Sequence, residues 1–461
     1  MSYSPLSRDD ARTLAERVLS FGKGDETRVS ISSTWTGNTR FAGNEVTTAG
    51  GATNTNLTVT STIGKRRASS QTNVLDDRSL ARTVELAERL ARLAPEDPEL
   101  MPELAGQQYA SVPGFAERTA NLSPEARALA AQSVLANPEV SSNQLAVAGY
   151  IEANAGVVAV ANNRGLFAYH PGSNVTMSTT VRTPDGTGSG YAGRGATDWA
   201  QIDPRSLGAR ATRKALDSRN PQAVEPGQYT VVLEPQAVAD VLPLLIAAMS
   251  ARNADEGRSP FSKRGGGTKI GERVADERVT IYSDPTDPEL LTRPFDEEGM
   301  PIGRTVWIES GVLKNLAYTR FWAQQQNARP MGGASAVGGF GGGGGGGPGA
   351  GFGGIKMLGG NASVEQLVQG TDRGILVTRF WYIRALDPRT VLNTGLTRDG
   401  TFLIEKGKIT RSIKNFRWNE SPLFMLNKID ALGKAEQVRA GLVVPAMRVR
   451  DFTFTSLSDA V

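Results

Sequence analysis

The sequence predicts an α+β protein with an N-terminal α/β unit, a mixed middle unit and a β-rich C-terminal unit of sandwich or barrel character. Three observations support this prediction. Helical and strand-like periods alternate in the first half of the chain, proline-rich segments interrupt them twice, and strand-like runs dominate the second half. With 461 residues, the chain is long enough for two or three domains with sizeable cores.

The first predicted unit spans residues 1–95. The segment SRDD at Ser7–Asp10 has the form of a capping box, and apolar residues follow it at helical spacing. Strand-like alternation and turn chemistry come next. The predicted elements are a helix after Ser7, strands at 28–35 and 56–63, a turn at TGNTR (36–40), and a helix at 77–93.

The middle unit is predicted at 110–220, after an acidic, proline-rich segment at 93–108 that has the composition of a linker. Ser123 followed by Pro124 predicts a helix start, and Asp203 followed by Pro204 predicts another. Strand-like runs between 144 and 182 contain Asn-Arg-Gly at 163–165, which predicts a hairpin.

The C-terminal unit is predicted at 227–461. It opens with TVVLEPQAVADVLPLLIAAM, Thr230–Met249, which has the pattern of a buried strand followed by an apolar helix. Further strands are predicted in GILVTRFWYI, GTFLIEKGKIT and VVPAMRVRDFTFT. The glycine-rich stretch at 332–354 has few side chains to bury. Burial therefore cannot offset the entropy lost when the stretch becomes ordered, and we predict a mobile loop.

Few residues in this sequence carry catalytic potential. The chain has no cysteine, which excludes disulfides, thiolate nucleophiles and zinc sites built on sulfur. Its one histidine, His170, precedes a proline and is predicted to be a surface or turn residue. Neither Ser189 nor Ser335 lies in a G-x-S-x-G elbow, so serine hydrolase chemistry is poorly supported. Gly188–Gly193 matches G-x-G-x-x-G without a following helix and is interpreted as a flexible loop.

The segment RPFDEEGM concentrates Asp296, Glu297 and Glu298 before a glycine, as a metal or acid–base site can. Adjacent acids in a turn usually point in different directions and bind neighbouring backbone groups. A structural role is therefore favoured, and an independent metallo-hydrolase with unrecognised ligands is left open.

Charge and hydropathy exclude other classes of function. The chain carries 51 basic and 47 acidic residues, a net charge of +4, without a basic cluster interleaved with aromatic residues, so no nucleic acid is expected as a partner. No stretch reaches about 18 apolar residues, and acids interrupt the first twenty positions, so neither a membrane span nor a signal peptide is expected. The absence of cysteine fits a reducing cytoplasm, which is the predicted location.

Several segments, in order along almost the whole chain, resemble the TldD/PmbA family and more closely its PmbA (TldE) branch. They are TRFAGNEVTTAG near the start, GQYTVVLEPQAVADVL at 227–242, GRSPFSKRGGGTKIGERVADERVTIYSDP at 257–285, RPFDEEGMPIGRTVWIESGVLKNLAYTRFWA at 293–323, GILVTRFW at 374–381, GTFLIEKGKI at 400–409 and VVPAMRVRDFTF at 443–454.

The resemblance implies a site residue by residue. In the catalytic TldD branch, the helix after the first strand of this unit carries H-E-x-x-x-H, whose histidines bind zinc and whose glutamate is the general base; a cysteine near the C-terminus is the third ligand. Here Pro243 and Ala248 stand at the histidine positions and Leu244 at the glutamate position. The resemblance therefore implies no catalytic residue, no metal ligand and no cofactor in this chain.

Family members without the zinc motif pair with a TldD-type subunit that holds the zinc. The resemblance thus implies a non-catalytic subunit of a heterodimeric peptidase for unfolded or modified peptides, with extended peptides as substrates. The alternatives are a homodimeric peptide-binding module and the metallo-hydrolase described above.

Overall fold

A computed structural model of the chain describes residues 4–336 and 353–458. Its helices are α1 (Arg8–Leu19), α2 (Asp77–Leu93), α3 (Glu117–Ala120), α4 (Pro124–Leu135), α5 (Pro138–Ser142), α6 (Pro204–Asp217), α7 (Pro235–Ala247), α8 (Ala251–Asp255), α9 (Arg320–Gln325), α10 (Val364–Gln369) and α11 (Pro422–Asn427).

The strands of the first half are β1 (Glu26–Ala42), β2 (Glu45–Ile63), β3 (Arg66–Thr72), β4 (Ala146–Asn162), β5 (Phe167–Arg182) and β6 (Ser189–Ala196). Those of the second half are β7 (Gly227–Leu233), β8 (Ile281–Ser283), β9 (Thr305–Glu309), β10 (Val312–Leu313), β11 (Ile355–Met357), β12 (Arg373–Asp387), β13 (Leu392–Glu405), β14 (Lys408–Ser412), β15 (Asn415–Glu420), β16 (Ile429–Arg439) and β17 (Leu442–Ser458).

The strands β1–β6 form one antiparallel sheet in the order β3-β2-β1-β4-β5-β6. Alternate residues of β1 and β4 point to one face, where α1 and α2 pack over one half of the sheet and α4 and α6 over the other. The two halves of this face have separate apolar clusters, one around Val29 and Ile31 and one around Phe41 and Ile151.

The predicted turn at 36–40 is wrong. Strand β1 continues through these residues because β2 pairs with it on one side and β4 on the other, as at Asn38, which lies opposite both Gly50 and Glu152. The chain reverses instead at Gly43 and Asn44, both with positive φ. The predicted hairpin at 163–165 is confirmed, since it joins β4 to β5.

The C-terminal strands form an eleven-stranded sheet, part of which closes on itself. Strand β7 pairs in parallel with β12 and antiparallel with β17, so β7, β12, β13, β15 and β17 make a ring without a free edge. Aromatic residues fill its core, including Phe380 and Trp418 at 4.8 Å between ring centroids and Phe416 and Phe454 at 4.7 Å. The predicted α+β class with a barrel-like C-terminal part is confirmed.

The first two predicted units contribute strands to the same sheet: β1–β3 come from residues 1–95 and β4–β6 from residues 110–220. The division of the chain into domains at 1–95, 110–220 and 227–461 stays a prediction. Of the glycine-rich segment predicted at 332–354, residues 337–352 lie outside the described residues. No helix in the described part of the chain is long and apolar enough to cross a membrane.

A buried arginine ties α4 to the β1–β2 hairpin. Arg127 is 1% exposed, and its guanidinium donates to Thr39 Oγ1 at 3.1 Å, to the carbonyl oxygen of Leu122 at 2.6 Å and to that of Gly50 at 3.1 Å. A buried cation needs such acceptors because the interior offers no water to solvate it.

We expect Arg127→Met to lower the free energy of unfolding by about 3 kcal/mol, because it leaves two carbonyl oxygens and a hydroxyl without their donor. Urea unfolding monitored by circular dichroism measures the change. The exposed Arg118 on α3 is the control, and Arg118→Met should change stability by less than about 0.5 kcal/mol. Equal effects of the two substitutions would contradict this role for Arg127.

Candidate functional site

Helix α7 occupies the place at which the sequence resemblance locates the zinc site. Strand β7 leads into it, and Pro235 stands in its first turn. One side of the helix packs into the C-terminal core through residues that are 0–3% exposed, namely Val238, Val241, Leu242, Leu245 and Ile246. The predicted strand and helix are both confirmed, and the helix is anchored by hydrocarbon.

The other side of α7 is half-buried. It carries Asp240, Pro243, Leu244 and Ala247, and Ala248 caps its C-terminal end. The side chains of Pro243, Leu244 and Ala248 contain no nitrogen, oxygen or sulfur atom, so these residues do not fit a zinc ion. Pro243 also lacks the backbone N–H that would bond the carbonyl of Ala239 in a regular helix.

A buried carboxylate, Asp240, lies one turn before these positions and was missed by sequence reasoning. It accepts hydrogen bonds from Gln236 Nε2 at 2.8 Å, from the backbone N–H of Phe380 at 3.0 Å and from Arg439 Nη2 at 3.2 Å. Burial raises the pKa of Asp240 to about 6, against the opposing effect of Arg439 and Arg379. In the sequence, its one signal was its position four residues from both Gln236 and Leu244, a spacing that places the three residues on one side of a helix.

Arg379 of β12 connects this carboxylate to the six-stranded sheet. Its guanidinium lies over the ring of Tyr191 on β6 at 4.0 Å and near that of Trp381 at 5.2 Å. Its Nη1 is 3.4 Å from Asp399 Oδ2, and the Oγ of Ser189 donates to Asp399 Oδ1 at 2.6 Å. Burial raises the pKa of Tyr191. The polar cluster of these residues with Asp240 and Arg439 joins the two sheets.

A small pocket opens beside this cluster, at the N-terminal end of α7. Its volume is about 120 Å³, and its lining includes Arg194 of β6, Gln236 of α7 and Glu436 of β16. A pocket of that size holds a few water molecules, whereas sites for drug-sized ligands measure several hundred Å³. The pocket by itself is therefore too small to enclose a peptide residue and its neighbours.

One sequence interpretation near this site is wrong. Gly188–Gly193 is not a flexible loop, since Ser189–Ala196 forms β6, and Gly190 lets α6 approach the strand: a Cβ there would lie 2.1 Å from the carbonyl oxygen of Ala211. Ser335, by contrast, is exposed at the edge of the described residues. Gly188 and Gly190 thus serve close packing against α6.

His170 is not a surface or turn residue either. It lies within β5 opposite Val158 and is 7% exposed. A Cβ at Gly114 would be 2.9 Å from its Nε2, which shows how closely that segment covers the ring. Burial, helped by the nearby Arg293, lowers the pKa of His170 to about 4, so the imidazole is neutral at pH 7.

The three acids of RPFDEEGM do not converge. Asp296 is buried and accepts the backbone N–H groups of Glu298, Met300 and Gly333, each at 2.9 Å. Glu297 pairs with Arg293 at 2.8 Å and Glu298 with Arg320 at 3.0 Å. Each carboxylate thus has its own partners. Across residues 4–336 and 353–458, no group of three or more His, Cys, Asp or Glu side chains is arranged to hold a metal ion.

Comparison with known proteins identifies relatives of this chain. Residues 226–456 match the sequence profile of the PmbA/TldA metallopeptidase C-terminal domain, and residues 115–219 match that of the PmbA/TldA metallopeptidase central domain. Together the two matches cover well over half of the chain.

Two curated relatives carry the description metalloprotease. One, from Methanothermobacter thermautotrophicus, is 25% identical over 287 residues, which are 59% of this chain and 59% of that protein. The other, from Methanocaldococcus jannaschii, is 27% identical over 243 residues, which are 51% of this chain and 50% of that protein. The chain thus spans between half and three fifths of the length of these relatives.

The crystal structure of TldE from Thermococcus kodakarensis has the same fold. It superposes with a TM-score of 0.82, covering 96% of this chain and 99% of that chain, at 19% sequence identity. At so low an identity, the likeness shows the fold alone.

The raised pKa of Asp240 has a consequence for stability. The folded chain holds this proton more tightly than the unfolded chain, whose aspartate pKa is about 4, so the free energy of unfolding falls as the pH rises from about 4 to about 6. We expect this fall to be roughly 2–3 kcal/mol larger in the wild type than in Asp240→Asn, with no further divergence above about pH 7. Urea unfolding at a series of pH values measures it. Parallel curves for the two proteins would contradict the assignment.

Proposed function

Since the chain belongs to the PmbA/TldD family of metallopeptidases, we propose that it is a non-catalytic, TldE-like subunit of a heterodimeric zinc peptidase. The observation that carries this proposal is the chemistry of α7, whose residues at the family's zinc positions, Pro243, Leu244 and Ala248, have no donor atoms. The zinc belongs to a TldD-type partner, and the assembly cleaves unfolded or modified peptides in the cytoplasm.

The energetics of α7 support a structural role for this helix. A zinc site requires polar ligands held by further hydrogen bonds, whereas α7 is held by buried hydrocarbon on one side and by the Asp240 cluster on the other. Arg439 and Arg379 already engage Asp240 and Asp399. The cluster therefore fixes the position of α7 between the sheets and leaves no carboxylate free to act as a general base.

The surface beside the cluster suits contact with an extended peptide. Strand β12 continues outward from Arg379, and Trp381 and Tyr382 are 45% and 56% exposed. Arg398 also lies near the Trp381 ring, and Arg384 lies over that of Tyr382. Aromatic and guanidinium surfaces contact peptides of varied sequence, which fits a guiding role better than a selective one. The 120 Å³ pocket encloses too little space for a peptide, so the partner supplies the rest of the peptide-binding surface.

The independent metallo-hydrolase is disfavoured by the separate partners of Asp296, Glu297 and Glu298, because a metal needs ligands that converge on one point. The homodimeric peptide-binding module differs from the proposal in predicting a complete peptide site without a TldD-type subunit.

We expect the purified chain to bind no stoichiometric zinc and to have no peptidase activity alone. Mixed with a TldD-type subunit from the same organism, it should form a complex whose zinc-dependent activity exceeds that of either subunit. Metal analysis, peptide hydrolysis and sedimentation measure these properties, and the TldD-type subunit is the positive control for zinc. Chelator-sensitive activity of this chain by itself would refute the proposal.

We expect Asp296→Ala to lower the free energy of unfolding by about 3 kcal/mol, because it orphans three backbone N–H groups, while the folded complex keeps its peptidase activity. The control is Glu297→Ala, which removes an exposed ion pair worth about 0.5 kcal/mol or less. Thermal unfolding and activity per folded complex are measured together. A folded Asp296→Ala protein without activity would instead support the metallo-hydrolase.

A further inference from the structure

The outer part of the β12–β13 hairpin, residues 379–398, forms an arm beside the Asp240 cluster. Strand β7 pairs with β12 only as far as Val377, and beyond it β12 pairs with β13 alone among the described strands. The arm contains four arginines and one acid, Asp387, so its net charge is +3. Because the whole chain carries only +4, the arm is far more basic than the chain as a whole.

The backbone of the arm is irregular where its aromatic residues lie. The pairing of β12 with β13 shifts in register between Trp381 and Arg384, and Tyr382 has a φ of 52°. A left-handed backbone is strained in a residue with a side chain, and such residues cluster at ligand-binding sites. Neighbours in a regular strand point to opposite faces, but here Trp381 and Tyr382 are 45% and 56% exposed. Both rings thus reach solvent.

Arg379, at the base of the arm, has donors without acceptors. Its guanidinium contacts the rings of Tyr191 and Trp381. Its one hydrogen bond in the described part of the chain is the 3.4 Å contact with Asp399, and its Nε has no acceptor there. A guanidinium has several further N–H groups. Arg379 can therefore bind another oxygen atom without leaving the two rings.

Two further arginines lie toward the tip of the arm. Arg384 lies over the ring of Tyr382 at 4.3 Å and donates to the carbonyl oxygen of Ile383. Arg389 belongs to the turn between β12 and β13. Both arginines are exposed, and neither forms an ion pair within residues 4–336 and 353–458. Their charges are therefore available to a bound molecule.

Arginines elsewhere in the chain also lie over rings, but those rings belong to a core. Arg8 and Arg12 of α1 lie over Phe167 at 5.4 Å and 4.3 Å. Phe167 is half-buried and packs against the N-terminal apolar cluster, so these two arginines cover that cluster. On the arm, the rings themselves are about half in solvent. Rings and guanidinium groups there form one surface that faces outward.

We propose that this arm binds the acidic segments of peptide substrates. Carboxylates of aspartate and glutamate pair with guanidinium groups, and the aromatic rings contact the side chains between them. The arm selects by charge and not by sequence, which agrees with a guiding role. This inference rests on the proposed function, since it names the class of peptide that the assembly takes.

The distribution of charge favours a peptide over a nucleic acid. A nucleic-acid strand carries a charge at every nucleotide and binds along a continuous basic track. Here Asp240 and Asp399 lie beside Arg379, and Asp387 precedes the tip. These carboxylates interrupt the positive charge and repel neighbouring phosphates, whereas a peptide with separated acids can pair with each guanidinium in turn.

Two labelled peptides that differ only in charge test the inference. One consists of repeated Gly-Glu-Leu units and the other of repeated Gly-Gln-Leu units. We expect the purified chain to bind the acidic peptide roughly tenfold more tightly at low salt, because several exposed ion pairs contribute, and to lose most of this preference at high salt. Fluorescence anisotropy measures both Kd values. Equal affinities at low salt would overturn the proposal.

Charge removal tests the location of the site. We expect R384Q/R389Q to weaken binding of the acidic peptide at least roughly threefold. The matched control, R8Q/R12Q, removes the same charge from exposed arginines of α1 and should leave the preference for the acidic peptide nearly intact. Circular dichroism verifies that both variants are folded. Equal losses in the two double variants would show a general charge effect and overturn the proposal.

Removal of a ring tests the aromatic part of the surface. Tyr382→Gly should weaken binding of both peptides by about the same factor, roughly threefold, because ring contacts do not depend on charge. Glycine accepts the positive φ at this position, so the backbone is kept. The exposed Tyr150 on β4 is the control, and Tyr150→Ala should bind like the wild type. Unchanged binding in Tyr382→Gly would contradict the proposed surface.

A labelled single-stranded oligothymidine tests the other class of ligand. We expect the chain to bind it more weakly than the acidic peptide at the same salt concentration. Tighter binding of the oligonucleotide that R384Q/R389Q abolishes would assign the arm to nucleic acid and overturn the proposal.

The inference and the proposed function can fail separately. In the complex with a TldD-type subunit, R384Q/R389Q should raise KM at least roughly threefold more for the acidic peptide than for the neutral one, with little change in kcat. A zinc-dependent complex without this difference would overturn the inference and keep the proposed function. If no active complex forms but the chain alone shows the charge-dependent binding, the proposed function fails and the arm remains a site for acidic peptides.

Discussion

The burial of α7 is the constraint on which the rest of the structure depends. Its apolar side completes the core of the closed strand ring, through contacts with β12 and β17 that leave Leu242, Leu245 and Ile246 without solvent. Each such side chain contributes roughly 1.5–3 kcal/mol when it leaves water. Because this side is committed to the core, only the opposite side of the helix, with Asp240 and Leu244, can face another part of the protein.

That opposite side meets a polar cluster instead of a metal. Asp240 and Asp399 lie almost out of solvent, and such carboxylates are tolerated only when cations or N–H groups engage them. Arg439, Arg379 and the backbone N–H of Phe380 meet this requirement. The cluster draws residues from β6 and from the C-terminal strands, so the charges that lie beside α7 also hold the two sheets together.

The two sheets differ in how their edges are satisfied. The C-terminal ring closes on itself because β7 pairs with both β12 and β17, so its backbone groups bind one another. The six-stranded sheet ends at β2 and β3, and β3 covers less than half of β2. Among the described residues, the backbone donors and acceptors on the remaining outer edge of β2 therefore have no strand partner.

Local pattern and resemblance determined much of this protein in advance. Neighbouring residues, whose chemistry is visible in the sequence, determine the helix starts at Ser7, Ser123 and Asp203, the hairpin at 163–165 and the passage from β7 to α7. The α+β class follows from the same local patterns. The order of the motifs along the chain indicated the family. Pro243, Leu244 and Ala248 indicated that the donor atoms of the family's zinc site are missing. Only the tertiary structure decided that β1 runs through TGNTR, that His170 is buried, that Asp240 meets Arg439 and Arg379 meets Asp399, and that no described strand covers residues 45–56 on the outer edge of β2. These features arise from contacts between residues up to about 200 positions apart, which no local periodicity records.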